Sequence, residues 1–159
     1  MNIEKLVQLI MERLMKREAT SVCVLASEIK GPHCSLLLQA KTIRIQGVDQ
    51  GFLQRLESGE DCSFKEWFHK ACDYGVNVEL ELFDSGEPWL CYEQLRRVDY
   101  PVFSAENKQL NYVREEMIAY QDVALLPPHS ILCKTQKQRF TSLAIDHLRK
   151  QQITIQERE

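Results

Sequence analysis

Ser63-Phe64-Lys65-Glu66, followed shortly by Gly75-Val76-Asn77-Val78-Glu79-Leu80-Glu81-Leu82-Phe83, decides the class of fold. In the first run the Ser63 hydroxyl can accept from the Glu66 amide. The Glu66 carboxylate can accept from the Ser63 amide in return. This capping box predicts a helix that opens here and runs to Tyr74. Gly75 tolerates the left-handed conformation that closes helices. Val76, Val78, Leu80 and Leu82 then alternate with Asn77, Glu79 and Glu81, which predicts a strand with one buried and one wet face. A wet face accounts for Glu79 and Glu81 better than an acid/base pair does.

Working outward, the same patterns recur. Residues 2–17 carry Ile3, Leu6, Val7, Ile10 and Leu14 on one helical stripe, widened by Leu9, Met11 and Met15, with charged and amide side chains opposite. Residues 22–29 read as a buried strand, and 30–33 as a break. Residues 35–39 and 42–46 read as two more strands, the second with Ile43 and Ile45 on one face. Asp49 caps a short helix to about Glu57, and 58–61 ends it. Beyond the central pair, 84–88 is a turn and 89–97 is one or two helical turns. Residues 101–113 read as a hairpin with its polar turn at 104–108. Residues 115–126 read as extended, and Pro127-Pro128 excludes helix there. Residues 131–134 form a strand, Thr141 caps a helix to about Gln151, and 153–156 form a last strand. Helices and strands interleave. The fold class is therefore α/β, or mixed α+β: a single domain over 20–159 with one mixed sheet flanked by helices, preceded by an amphipathic docking helix over 1–17.

A chain of 159 residues with 44% apolar content can bury a proper core without disulfides or metals. Its formal charge of −3 argues against the broad basic surface of a nucleic-acid binder. No run resembles a signal peptide, and none approaches a membrane span. A cytoplasmic protein is expected, with no membrane partner. Its six cysteines (Cys23, Cys34, Cys62, Cys72, Cys91 and Cys133) are scattered. They are expected to be reduced, with Cys23 and Cys133 as small core residues.

Chemistry is sparse. Cys62, His69 and Cys72 are the nearest thing to a metal cluster, but a closed zinc site needs four ligands and no second pair appears. His33 and Cys34 are neighbours in sequence, which does not make a nucleophile–base dyad. Lys134, Lys137 and Arg139 precede a helix start and could hold a phosphate, though a solvated basic loop explains them too. Gly-x-Ser-x-Gly, P-loop and dinucleotide fingerprints are missing. No catalytic residue, cofactor or metal ligand is assigned.

The phrase Tyr120-Gln121-Asp122-Val123-Ala124-Leu125-Leu126, the helix start Thr141, Ala144 and Asp146, and the closing Ile153-Thr154-Ile155 resemble the PduM family of bacterial microcompartment proteins. The order of elements and the first helix extend the resemblance over the whole chain, with 30–100 similar in pattern more than in letters. The resemblance implies a non-enzymatic structural or assembly component of the protein-shelled organelle of propanediol utilisation and related pathways. It implies location within or on a microcompartment, with shell proteins or encapsulated enzymes as partners. Oligomers are possible. The first helix is similar to targeting helices that bind such shells through helix-in-groove anchors, here Ile3, Leu6, Val7, Ile10 and Leu14. The alternative for that stripe is packing on its own domain. The alternative for the protein is a microcompartment enzyme or cofactor-handling protein using the Cys/His set or the basic loop.

Overall fold

A computed structural model of the protein describes residues 2–29, 34–58, 62–83 and 90–159, apart from the side chains of Cys34, Cys62 and Ser63. The expected break at 30–33, His33, the Ser63 side chain of the capping box and the turn at 84–88 lie outside the described residues. The chain divides into two compact units, Met1–Glu79 and Leu80–Glu159.

The first unit opens with α1 (Ile3–Glu18), followed by β1 (Ser21–Leu25), a 3-10 turn (Ala26–Glu28), α2 (Cys34–Gln39), β2 (Thr42–Val48), α3 (Gln50–Ser58) and α4 (Cys62–Asp73). It ends within β3 (Asn77–Leu82). β1 and β2 are parallel, from Ser21 opposite Thr42 to Leu25 opposite Gln46. Parallel neighbours need a crossover, and the 3-10 turn and α2 lie on it.

That requirement corrects two expectations. Residues 35–39 are helical: Leu37 and Ala40 are buried at a three-residue spacing while Leu38 faces water. Three consecutive leucines look alike to either periodicity. The expected buried strand at 22–29 stops at Leu25, and its residues alternate between exposed and half-buried. β1 is the outermost strand, with β2 as its neighbour. Cys23 is consequently exposed, not a core residue.

β2 buries Ile43 and Ile45 completely. Between them Arg44 reaches Glu79 of β3, with Nη2–Oε2 at 2.7 Å and Nε–Oε2 at 2.8 Å. Glu79 is therefore paired and half-buried, not simply solvated. Asp49 caps α3 as expected, its Oδ1 accepting from the Phe52 amide at 2.7 Å. Phe52 and Phe64 meet edge to face at 5.1 Å, and Trp67 and Phe68 are buried on α4. α4 closes on Gly75 at φ 63°. The Val76 amide bonds back to the Ala71 carbonyl at 2.8 Å and the Gly75 amide to Cys72 at 2.9 Å, the pattern of a Schellman end. From there β3 alternates as its letters predict, with Val78 and Leu80 buried.

The second unit takes the end of β3 and adds α5 (Tyr92–Arg97), β4 (Val102–Phe103), β5 (Gln109–Tyr112), β6 (Met117–Ile118) and α6 (Tyr120–Val123). β7 (Ile131–Lys134), β8 (Arg139–Phe140), α7 (Ser142–Lys150) and β9 (Thr154–Glu157) complete it. β3 runs parallel to β4, β4 antiparallel to β5, β5 parallel to β7 and β7 parallel to β9. β6 and β8 form a small parallel pair of their own. The expected hairpin is present, its turn passing through Asn107 at φ 60°. Thr141 caps α7, its hydroxyl accepting from the Ala144 amide at 3.3 Å. Val113, Ile118, Val123, Leu132, Ala144, Leu148 and Ile153 form one core, with Leu126 and Phe140 packed on it.

Residues 115–126 depart from the extended reading. They form β6 and then the single turn α6, which the Asp122 carboxylate stabilises by accepting from the Ala119 amide at 2.7 Å. Val123 is buried and Leu126 partly so, whereas Leu125 is 95% exposed. The class of fold is the one predicted: α/β, with a mixed sheet.

Candidate functional site

α1 is built as its sequence specifies. The Asn2 side chain accepts from the Glu4 amide at 3.3 Å, Glu4 lies in the first turn, and Lys16 and Arg17 lie in the last. Gln8 and Glu12, one turn apart, bond at 3.2 Å on the polar face. The last turn is tied down within its unit. The Arg17 guanidinium donates to the Leu37 carbonyl at 3.3 Å and to the Tyr74 carbonyl, and Glu18 pairs with Lys41 at 3.4 Å. The Thr20 hydroxyl donates to the Lys16 carbonyl at 2.6 Å.

The rest of the helix contributes nothing to a core. No residue of α1 is buried. Ile3, Leu6, Val7, Leu9, Ile10, Met11, Leu14 and Met15 are all exposed, from 40% at Leu6 to 77% at Ile3. Ile3, Leu6, Val7, Ile10 and Leu14 share one side of the helix over roughly 16 Å at 1.5 Å per residue. Transferring one such side chain out of water is worth about 1.5–3 kcal/mol. Contiguous apolar faces left in solvent are, as a class, surfaces through which proteins associate. The structure thus brings together the five anchors read from the sequence and leaves them facing solvent.

Among the described residues the other candidates do not assemble. His69 and Cys72 are exposed on α4, and the Cys62 side chain lies outside the described residues. Among the described residues no three His, Cys, Asp or Glu side chains are grouped to hold a metal. Cys23, Cys72, Cys91 and Cys133 are free thiols. Cys91 has a local task, its sulfur accepting from the Gln94 amide at 3.4 Å at the start of α5. Burial pushes the Cys133 thiol above its ordinary value of 9.0, against the lowering effect of the Arg158 guanidinium beside it. Cys133 is fully buried as expected.

The basic loop splits by role. Lys134 pairs with Glu157 at 2.6 Å, while Lys137 and Arg139 are exposed. Between them lies a residue that sequence reasoning passed over. Gln138 is 5% exposed, and its amide nitrogen donates to the Val113 carbonyl at 2.6 Å and the Glu115 carbonyl at 2.9 Å. Its oxygen accepts from the Thr135 amide at 2.9 Å. The Tyr92 hydroxyl donates to the same Val113 carbonyl. Burial raises the Tyr92 phenol above its ordinary value of 10.0, partly offset by its hydrogen bond with Gln138.

No helix among the described residues is long and apolar enough to cross a membrane. The molecule is thus a mixed α/β protein whose first helix leaves its apolar side chains exposed. The chain belongs to the PDU-like family, described as "putative propanediol utilisation", whose model matches residues 5–154. The match begins inside α1 and ends at the first residue of β9, so most of the exposed stripe lies within it. No curated protein and no solved structure matches the chain.

Proposed function

We propose that the protein is a PduM-type, non-enzymatic structural or assembly component of a bacterial microcompartment, and that α1 docks it on a shell protein. The observation that carries this reading is the helix with no buried residue and eight exposed apolar side chains, anchored by polar contacts at its last turn. An element made and oriented in this way is suited to a complementary apolar groove. Membership of a propanediol-utilisation family supports the organelle as the setting.

The test is the location of a full-length fluorescent fusion in cells with assembled organelles. The fusion should concentrate at compartments, and Leu6→Glu with Ile10→Glu should leave it diffuse. A double variant that still concentrates there would sink the α1 docking claim. Recovery of an encapsulated enzyme, with no shell protein, on affinity purification would move the partner from shell to cargo.

A further inference from the structure

A cavity of about 470 Å³ opens in the second unit, between α5, the segment after β5, the β7–β8 turn and the end of the chain beyond β9. Its size falls in the range of small-molecule sites, roughly 300–1,000 Å³. Its polar floor is set before any ligand arrives. Tyr92, Gln138 and Arg158 are each buried. Gln138 and Tyr92 are held by the Val113 carbonyl, and Arg158 donates to the Leu90 carbonyl at 2.8 Å and to Gln156 Oε1 at 3.2 Å. A floor fixed by its own hydrogen bonds loses little freedom when a ligand binds.

The rim has a different character. Arg96, Arg114 and Lys137 reach it from three separate segments. Arg96 shares its charge with Glu93 at 3.4 Å. The Arg114 and Lys137 side chains make no ion pair or hydrogen bond among the described residues. Glu116 and Glu159 line the same cavity. Two uncommitted cations call for an oxyanion, which a guanidinium matches in a planar, two-point fashion. Two carboxylates alongside repel a bare anion and accept from donors on the ligand's body.

We infer that this cavity is a binding site for a small organic oxyanion, a phosphate or a carboxylate, whose body carries hydroxyl groups. Arg114 and Lys137 hold the anionic head, and Glu116 and Glu159 accept from the hydroxyls. The site is independent of α1 and of its docking.

Amide NMR titration of the full chain tests this with three probes: ribose 5-phosphate, gluconate and inorganic phosphate. One of the two hydroxylated anions should give saturable shifts confined to Arg114, Glu116, residues 135–138 and Glu159, with the winner separating phosphate from carboxylate recognition. Inorganic phosphate should bind measurably more weakly, and added salt should weaken all binding. Arg114→Gln with Lys137→Gln should reduce affinity about tenfold or more at unchanged melting temperature, since both side chains are exposed. Absence of a saturable response to any probe, or an equal response in the double variant, would overturn the proposal. Inorganic phosphate binding as well as the sugar anions would overturn the part assigned to Glu116 and Glu159.

Discussion

The carbonyl of Val113 is the acceptor on which much of the second unit's polar interior turns. It receives both the Gln138 amide and the Tyr92 hydroxyl, so its two lone pairs are filled. Gln138→Ala leaves the Glu115 carbonyl and the Thr135 amide without that partner. It should lower unfolding free energy by about 1–3 kcal/mol in urea titration. Asp122→Ala removes the cap on α6 and should cost about 1 kcal/mol, with Asp122→Asn recovering part of it. Tyr92 and Cys133 set a pH dependence. Both are raised by burial, so the folded chain keeps protons that the unfolded chain releases from about pH 9 upward. Their stabilisation is complete below the ordinary values of 9.0 and 10.0 and is lost as pH climbs through the folded ones. Stability should therefore fall on the alkaline side, and Cys133→Ala should flatten the first part of that fall. An aspartate such as Asp122 is legible as a backbone acceptor from its short side chain alone, and it accepts from within α6. Gln138 was not, because a glutamine in a polar turn looks like its neighbours until the fold places two carbonyls beside it.

Among the elements, those with long, strong periods were the legible ones. α1, α4, β3 and α7 were read from amphipathic spacing and caps, and each lies within a residue or two of its expected bounds. The failures are short. α2 is six residues of mostly apolar letters and α6 a single turn, while β8, two residues long, gave no expectation at all. Such segments take their conformation from crossover geometry and side-chain caps, not from their own pattern. The five anchors of α1 were legible as a stripe, but not whether that stripe faced a core. Their exposure yields a sharp expectation for Leu6→Glu with Ile10→Glu. Because neither side chain is buried, unfolding free energy should change by no more than about 0.5 kcal/mol, while compartment docking is lost. A large loss of stability would instead place the stripe against the protein's own interior.

For the whole molecule, the interleaving of helices and strands was enough to name the fold class, and the family match covers both units. Deleting the protein should give malformed compartments that leak reactive intermediate while pathway enzymes in lysate retain near-normal activity. If compartments form normally and one specific activity disappears, and purified protein restores it, the enzyme reading replaces the structural one. α1 also has a kinetic consequence. A helix of 16 residues with none of them buried sits near the helix–coil balance, held at its last turn where Arg17 grips the Leu37 and Tyr74 carbonyls. Before docking, its backbone amides should exchange with deuterium almost as fast as an unstructured peptide, with protection rising toward the last turn. The measured affinity for a partner is then the intrinsic one multiplied by the fraction of time the helix is formed. Substituting alanine at Gln8 should raise that fraction if the gain in helix propensity exceeds the loss of its bond to Glu12, as amide exchange would read. Such a change would tune occupancy of the organelle through the population of the free helix.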